Sequence, residues 1–277
     1  MGQGIYITVV EGKGDNDKVS AYHVAPKQSQ PKGGIVLLQE IFGVNEYIRE
    51  VCDHYAEKGW EVIAPSLFDR ESQKIELNYD ADGVEQGRAL KDSVDSFSEN
   101  DIAACCNHFM SGLKLAVVGY CWGGSLAWRV ACRSPRFDAA VCYYGGEIPS
   151  LSSEKPHCPV QAHFGRQDST IPISDVENFI SLRPEVETYI YNADHGFSCH
   201  HRKQYHQSSA NLAQERVDEF LSRHIQNTNY ILQSGVQQFV LFAKLSFRAS
   251  TDSLIRSVFS DRKIEDCVKC QNIKPHW

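Results

Sequence analysis

The feature that most constrains this chain is a short, unbroken apolar run, Ile35-Val36-Leu37-Leu38, entered through Pro31-Lys32-Gly33-Gly34. A strand with one wet face alternates polar and apolar residues, whereas a run with no polar face belongs to a strand covered on both sides. Directly after it, apolar residues fall at Ile48, Val51, Cys52, Tyr55 and Ala56, a helical spacing of three and four, and Gly59 follows as a stop. Strand 61–64 resumes the sheet. The alternation continues through a helical region 84–109, strand 115–118, helix 125–132 and strand 139–144, then strand 160–164, helix 176–182, strand 188–191 and helix 210–224. Such alternation predicts an α/β domain with a mostly parallel sheet between helices, whose ligands bind beyond the carboxyl ends of the strands. Ahead of it, residues 5–10 and 20–24 read as a hairpin around Gly12-Lys13-Gly14-Asp15-Asn16.

No repeat or linker interrupts residues 1–225, which read as one domain; residues 226–277 form a C-terminal extension. The apolar residues Phe239, Val240, Leu241, Phe242 and Leu245 leave three readings of that extension: a short docking helix, a disordered stretch or a non-native addition. The formal net charge of -7 and the lack of a basic stripe exclude a nucleic-acid partner. No apolar run is long enough to span a bilayer, and the N-terminus has no basic patch followed by an apolar run. Tyr6 replaces the Ser or Thr that a myristoylation signal requires. Ten irregularly spaced cysteines, with Cys105 and Cys106 adjacent, favour reduced thiols and a cytoplasmic location. A monomeric enzyme acting on a small molecule is the expectation.

Strand 115–118 runs into Gly119-Tyr120-Cys121-Trp122-Gly123-Gly124, and a helical segment follows. Strand, sharp turn and helix are the context of a nucleophile elbow, in which the central residue is strained and its neighbours must be Gly. Cys121 holds the nucleophile position usually taken by Ser. At a helix N-terminus its thiol meets unpaired N–H groups and the positive end of the helix dipole, which favour the thiolate. The backbone N–H of Trp122 is a candidate oxyanion donor. The bland alternative is a structural Cys in an ordinary turn.

In this chain order the acid and the histidine follow on later strand ends. Asp168 lies just after strand 160–164 and His195 just after strand 188–191. His195 would take up the thiol proton and activate water, with Asp168 fixing its tautomer. Asp194 competes for the acid role, but a carboxylate adjacent to His195 in sequence rarely reaches the ring.

These segments, together with Gln39-Glu40-Ile41-Phe42-Gly43-Val44-Asn45 and Asp194-His195-Gly196-Phe197, resemble the dienelactone hydrolase family over residues 5–225. The resemblance implies an α/β-hydrolase fold, a twisted parallel sheet with helices on both faces. It implies a cofactor-free hydrolysis of dienelactone, a carboxymethylenebutenolide, to maleylacetate through a thioester on Cys121. It also implies an oxyanion hole from the N–H groups of Trp122 and Ile41, and a Glu40 that holds the resting thiol. Arg88 aligns with a substrate-carboxylate arginine, a role suited to a guanidinium; as a helix residue it is equally a solvated charge. The family's second arginine position carries Cys199, and the nearest arginine, Arg202, is the candidate for that substrate contact. Trp122, Tyr143, Tyr144 and Phe197 are candidates for an apolar acyl wall or, alternatively, core aromatics.

His195, His200, His201 and His206 with Cys199 suggest a metal cluster, yet adjacent histidines seldom converge on one ion, so no metal is expected. Cys267-Val268-Lys269-Cys270 has zinc-ligand spacing but lacks a second pair, even with His276 nearby. Three functions remain: a hydrolase of small anionic lactones, a broader carboxylesterase or thioesterase, and a non-catalytic ligand or redox sensor using Cys121. Dehydrogenase and nucleotide-binding functions fail because the Gly-rich turn comes late, lacks phosphate-binding spacing and carries a cysteine at its apex.

Overall fold

The computed structural model describes residues 3–8, 18–27 and 30–226. The expected turn at 12–16, the extension beyond 226 and the Cys267, Cys270 and His276 group lie outside the described residues. Among the described residues, eight strands form one sheet: β1 (Gln3–Thr8), β2 (Lys18–Val24), β3 (Gly34–Leu38), β4 (Glu61–Pro65), β5 (Leu115–Tyr120), β6 (Ala139–Tyr143), β7 (Val160–Gly165) and β8 (Glu187–Tyr191). Their order is β1-β2-β4-β3-β5-β6-β7-β8. β1 and β2 pair antiparallel, as do β2 and β4, and every later pairing is parallel. The expected hairpin and parallel sheet are both present.

Among the described residues, five α-helices cover the sheet: α1 (Glu46–Glu57), α2 (Ala81–Cys105), α3 (Trp122–Arg133), α4 (Ile173–Leu182) and α5 (Gln207–Ile225). α1 and α5 share one face, joined by Lys58 and Asp218. α3 meets α4 on the other through Trp128 and Phe179, ring centroids 5.2 Å apart. Arg129 of α3 reaches back to α2, 2.7 Å from both Asp95 and Glu99. With helices on both faces, all five residues of β3 and all six of β5 are buried, the physical reason for their unbroken apolar runs.

Local signals set the ends. Asn45 caps α1 by accepting the Ile48 N–H at 3.2 Å, and Gly59, at φ +98, lets the chain reverse after it. Asp80 caps α2 by accepting from Gly83 N–H at 2.8 Å, so the helix begins at Ala81, three residues before the apolar spacing first reports one. α3 likewise begins at Trp122 rather than Ser125, because Gly123 and Gly124 carry no periodic side chain.

The parallel order puts the carboxyl ends of β3, β5, β7 and β8 along one edge. Glu40, Cys121, Asp168 and His195 each follow one of those strands closely.

Candidate active site

β5 turns into α3 at Cys121, whose φ of 56 and ψ of -116 lie in a region costly for any residue with a Cβ. Fixed backbone bonds hold the strained residue: Cys121 N–H to Tyr143 O at 3.0 Å, Ser125 N–H to Cys121 O at 3.2 Å and Gly123 N–H to Gln39 O at 3.1 Å. The turn is too tight for side chains on its flanks. A Cβ on Gly119 would lie 1.9 Å from Gly123 O, and one on Gly123 would lie 2.6 Å from both Leu38 O and Gln39 O. The Gly-x-Cys-x-Gly pattern is therefore a steric requirement of this corner.

His195 Nε2 lies 3.1 Å from Cys121 Sγ, and its Nδ1 lies 2.7 Å from Asp168 Oδ2. Asp194 accepts the backbone N–H of His195 at 2.6 Å instead of its ring, so the competing acid braces the loop. Burial alone would lower the His195 pKa, but the facing Cys121 and the Asp168 carboxylate outweigh it and raise the imidazole to about 10. Asp168 is held below its ordinary value: burial opposes this, and bonds from His195 and Thr170 overcome it. Sequence patterns did not single out Thr170. It donates to Asp168 Oδ1 from its hydroxyl at 2.6 Å and its N–H at 2.8 Å, an Asp-x-Thr turn that was the available signal.

Cys121 and His195 stand at a cleft of about 370 Å³ whose lining also includes Ile41, Trp122, Val84, Arg88, Lys91 and Arg202. Trp122 is fixed from α2, its Nε1 donating to Asp95 at 2.9 Å and its ring stacked on Phe68. Arg88 is exposed on the cleft and has no ion-pair partner among the described residues. Lys91, one turn further along α2, was also missed; it is bound to Glu147 at 2.9 Å, and the i, i+3 spacing from Arg88 was its signal.

Two expectations are corrected by burial. Tyr144 and Phe197 are fully buried and lie beneath the cleft rather than on its wall. Tyr144 packs 4.9 Å from the His195 ring and bonds Ser198 at 2.7 Å, while Phe197 packs against Tyr144 and Tyr191. They shape the floor that carries His195. Tyr143 is buried as well, stacked between Tyr120 and His163.

Glu40 is likewise placed differently from expectation. Its Oε1 accepts from Arg202 Nη1 at 2.9 Å, its Oε2 has no hydrogen-bond partner, and the thiol is engaged by His195 instead. A buried carboxylate needs a cation, and Arg202 is the one the loop delivers. Arg202 is 12% exposed, lies over the Phe42 and Tyr79 rings, and has its pKa raised because Glu40 outweighs the effect of burial.

Of the histidines whose metal cluster was not expected, His195 serves the cysteine and His206 bonds Ser209 at 2.7 Å. His200 and His201 do converge, on Glu50 of α1. The eight cysteines among the described residues are all free thiols, and none of the described helices is long and apolar enough to cross a membrane.

Residues 19–225 match the dienelactone hydrolase family. A protein of Escherichia coli (strain K12), provisionally named a carboxymethylenebutenolidase, is 30% identical over 241 residues, spanning 78% of this chain and 86% of its own. A Synechocystis protein with the same provisional name is 27% identical over 242 residues, spanning 80% of this chain and 98% of its own. The structure of a provisionally assigned dienelactone hydrolase from Klebsiella pneumoniae superposes with a TM-score of 0.67 at 28% identity, covering 78% of this chain and 97% of that one. A dienelactone-hydrolase-like promiscuous phosphotriesterase from metagenomic libraries shares the fold at 16% identity and a TM-score of 0.65, covering 82% and 99% of the two chains. With its α/β-hydrolase sheet and a family match over most of its length, the chain belongs to the dienelactone hydrolase family and is a carboxylic ester hydrolase of the carboxymethylenebutenolidase-like kind.

Proposed function

We propose that the chain hydrolyses small esters or lactones through a thioester on Cys121. The observation that carries this is the relay in which His195 lies 3.1 Å from Cys121 Sγ and 2.7 Å from Asp168. The Cys121 thiolate attacks the carbonyl carbon, and the oxygen gains negative charge between the N–H groups of Trp122 and Ile41. Neither N–H donates to a protein acceptor among the described residues, which supports that role. His195 then gives its proton to the leaving oxygen as the carbon–oxygen bond breaks. In the second half, His195 takes a proton from water, the hydroxyl adds to the thioester carbon, and cleavage of the carbon–sulfur bond returns the thiolate and a carboxylic acid.

Arg88, free and exposed on the cleft, supports an anionic substrate such as dienelactone giving maleylacetate. Pairing of Arg202 with Glu40 favours a second reading on the same machinery, a broader carboxylesterase or thioesterase, because it leaves Arg88 as the unpaired guanidinium at the cleft. No cofactor has a role in these steps. The free thiols among the described residues support a cytoplasmic setting. The catalytic unit is residues 1–225.

The test is turnover of p-nitrophenyl acetate and dienelactone by wild type, Cys121→Ala and Cys121→Ser, with mass spectrometry for an acyl adduct. An adduct on Cys121 and activity lost in Cys121→Ala are expected, and the preferred ester separates the two readings. Equal inertness of wild type and Cys121→Ala would shift the function to ligand binding or redox sensing.

A further inference from the structure

Away from the cleft, α1 and the loop between β8 and α5 bring three ligand-bearing side chains to one surface point. His200 Nε2 lies 3.1 Å and His201 Nε2 2.9 Å from the same oxygen, Glu50 Oε2. All three candidate ligand atoms lie within 4.8 Å of one another. Adjacent side chains converge here because the loop is tightly turned: Cys199 N–H donates to Gly196 O and Arg202 N–H to Cys199 O, both at 3.0 Å. The ring of Tyr47, at 5.7 Å from His200 and 6.1 Å from His201, packs against both imidazoles.

We propose that Glu50, His200 and His201 form a surface site for one divalent transition-metal cation of the zinc type, which clamps this loop to α1. Two imidazole nitrogens and one carboxylate oxygen match the ligand preferences of Zn²⁺, Ni²⁺ or Cu²⁺, whereas Ca²⁺ and Mg²⁺ take oxygen almost exclusively. Tetrahedral coordination with bonds of about 2.0–2.1 Å sets ligand atoms about 3.3 Å apart. The two imidazole–carboxylate separations of 2.9 and 3.1 Å are close to that value, and the three ligand atoms together lie within 4.8 Å of one another. Side-chain exposures of 46% for Glu50, 53% for His200 and 27% for His201 leave room for water in the remaining positions. A neutral imidazole binds the cation through Nε2 by keeping its proton on Nδ1; a protonated one releases a proton to solvent.

The clamp reaches the floor of the cleft by direct contacts. Tyr47 hydroxyl is 3.3 Å from Ser198 Oγ, which is 2.7 Å from the hydroxyl of Tyr144, the ring beneath His195. Arg202, the partner of Glu40, is the residue next to His201. A cation bound only to the folded chain stabilises it by mass action.

The test is calorimetric titration of the full chain with ZnCl₂ in a Cys121→Ser background, which removes the competing thiol beside His195, together with thermal melts. The same titrations are run after adding His200→Ala/His201→Ala, and separately Glu50→Gln. The expected result is loss of one Zn²⁺ equivalent and of the Zn²⁺-dependent rise in Tm in the double-histidine variant. Affinity at that equivalent should fall tenfold or more in Glu50→Gln. All three residues are substantially solvent-exposed, so the metal-free melts should match the parent and show that the fold is intact. Failure of the parent to bind Zn²⁺, or binding of unchanged stoichiometry and affinity in the double-histidine variant, overturns the proposal. So does CaCl₂ binding as tightly as ZnCl₂.

Discussion

Arg202 donates to Glu40 across 2.9 Å, tying together two loops whose partners are 162 residues apart in sequence. Glu40 is 1% exposed and its second oxygen has no other partner, so this cation is its charge compensation. Removing one member of such a pair costs about 3–5 kcal/mol, because a charge is left buried alone. Arg202→Met should lose about that much in urea unfolding, and Glu40→Gln/Arg202→Met should recover most of it. A double variant as unstable as Arg202→Met would show that Arg202 acts through packing on Phe42 and Tyr79 instead.

The raised pKa of His195 is directly observable. With its pKa raised to about 10, His195 is an imidazolium across the neutral range and loses its proton only as pH rises toward that value. The facing Cys121 is the first cause of the rise, acting against burial. Imidazole NMR should place the His195 midpoint near 10 in wild type and well below it in Cys121→Ala. An unchanged midpoint in Cys121→Ala would assign the shift to Asp168 alone.

His163 works in the opposite direction. Burial first, and Arg216 second, lower its pKa from 6.5 to about 3, and its ring nitrogens bond Tyr191 and Gln161 at 2.9 and 3.0 Å. The unfolded chain therefore takes up a proton below about pH 6.5 that the folded chain refuses until about pH 3. Stability from this residue is complete above that window and falls through it, by about 1.4 kcal/mol per pH unit once well below the upper limit. Denaturant melts across the window should show a slope shallower by about one proton in His163→Gln than in wild type.

Two glycines near the cleft should respond in contrasting ways to the same change. A Cβ on Gly119 would meet Gly123 O at 1.9 Å, while one on Gly146 meets nothing within 4 Å. Gly119→Ala is expected to cost about 3 kcal/mol or more, and Gly146→Ala to stay within about 0.5 kcal/mol of wild type. Equal melting temperatures for the two variants would refute the steric account of the elbow.

What the sequence by itself determined is everything written in short-range chemistry. The unbroken apolar run at residues 35–38 implied a covered strand, and β3 is buried throughout. Gly119, Cys121 and Gly123 announced a tight corner, because only glycine tolerates backbone atoms that close. Asp168 and His195 were legible because each follows a recognisable strand, and parallel strands deliver their carboxyl ends to one edge. Only the tertiary structure decided which long-range partners meet. Tyr144 and Phe197 went under the cleft, Arg202 went to Glu40, and His200 and His201 went to Glu50 across separations of 150 and 151 residues. Those pairings depend on strand order and on how tightly one loop turns. Neither leaves a periodic trace in the residues themselves, since a lone charge or aromatic ring reads alike until its neighbour across the fold is in place.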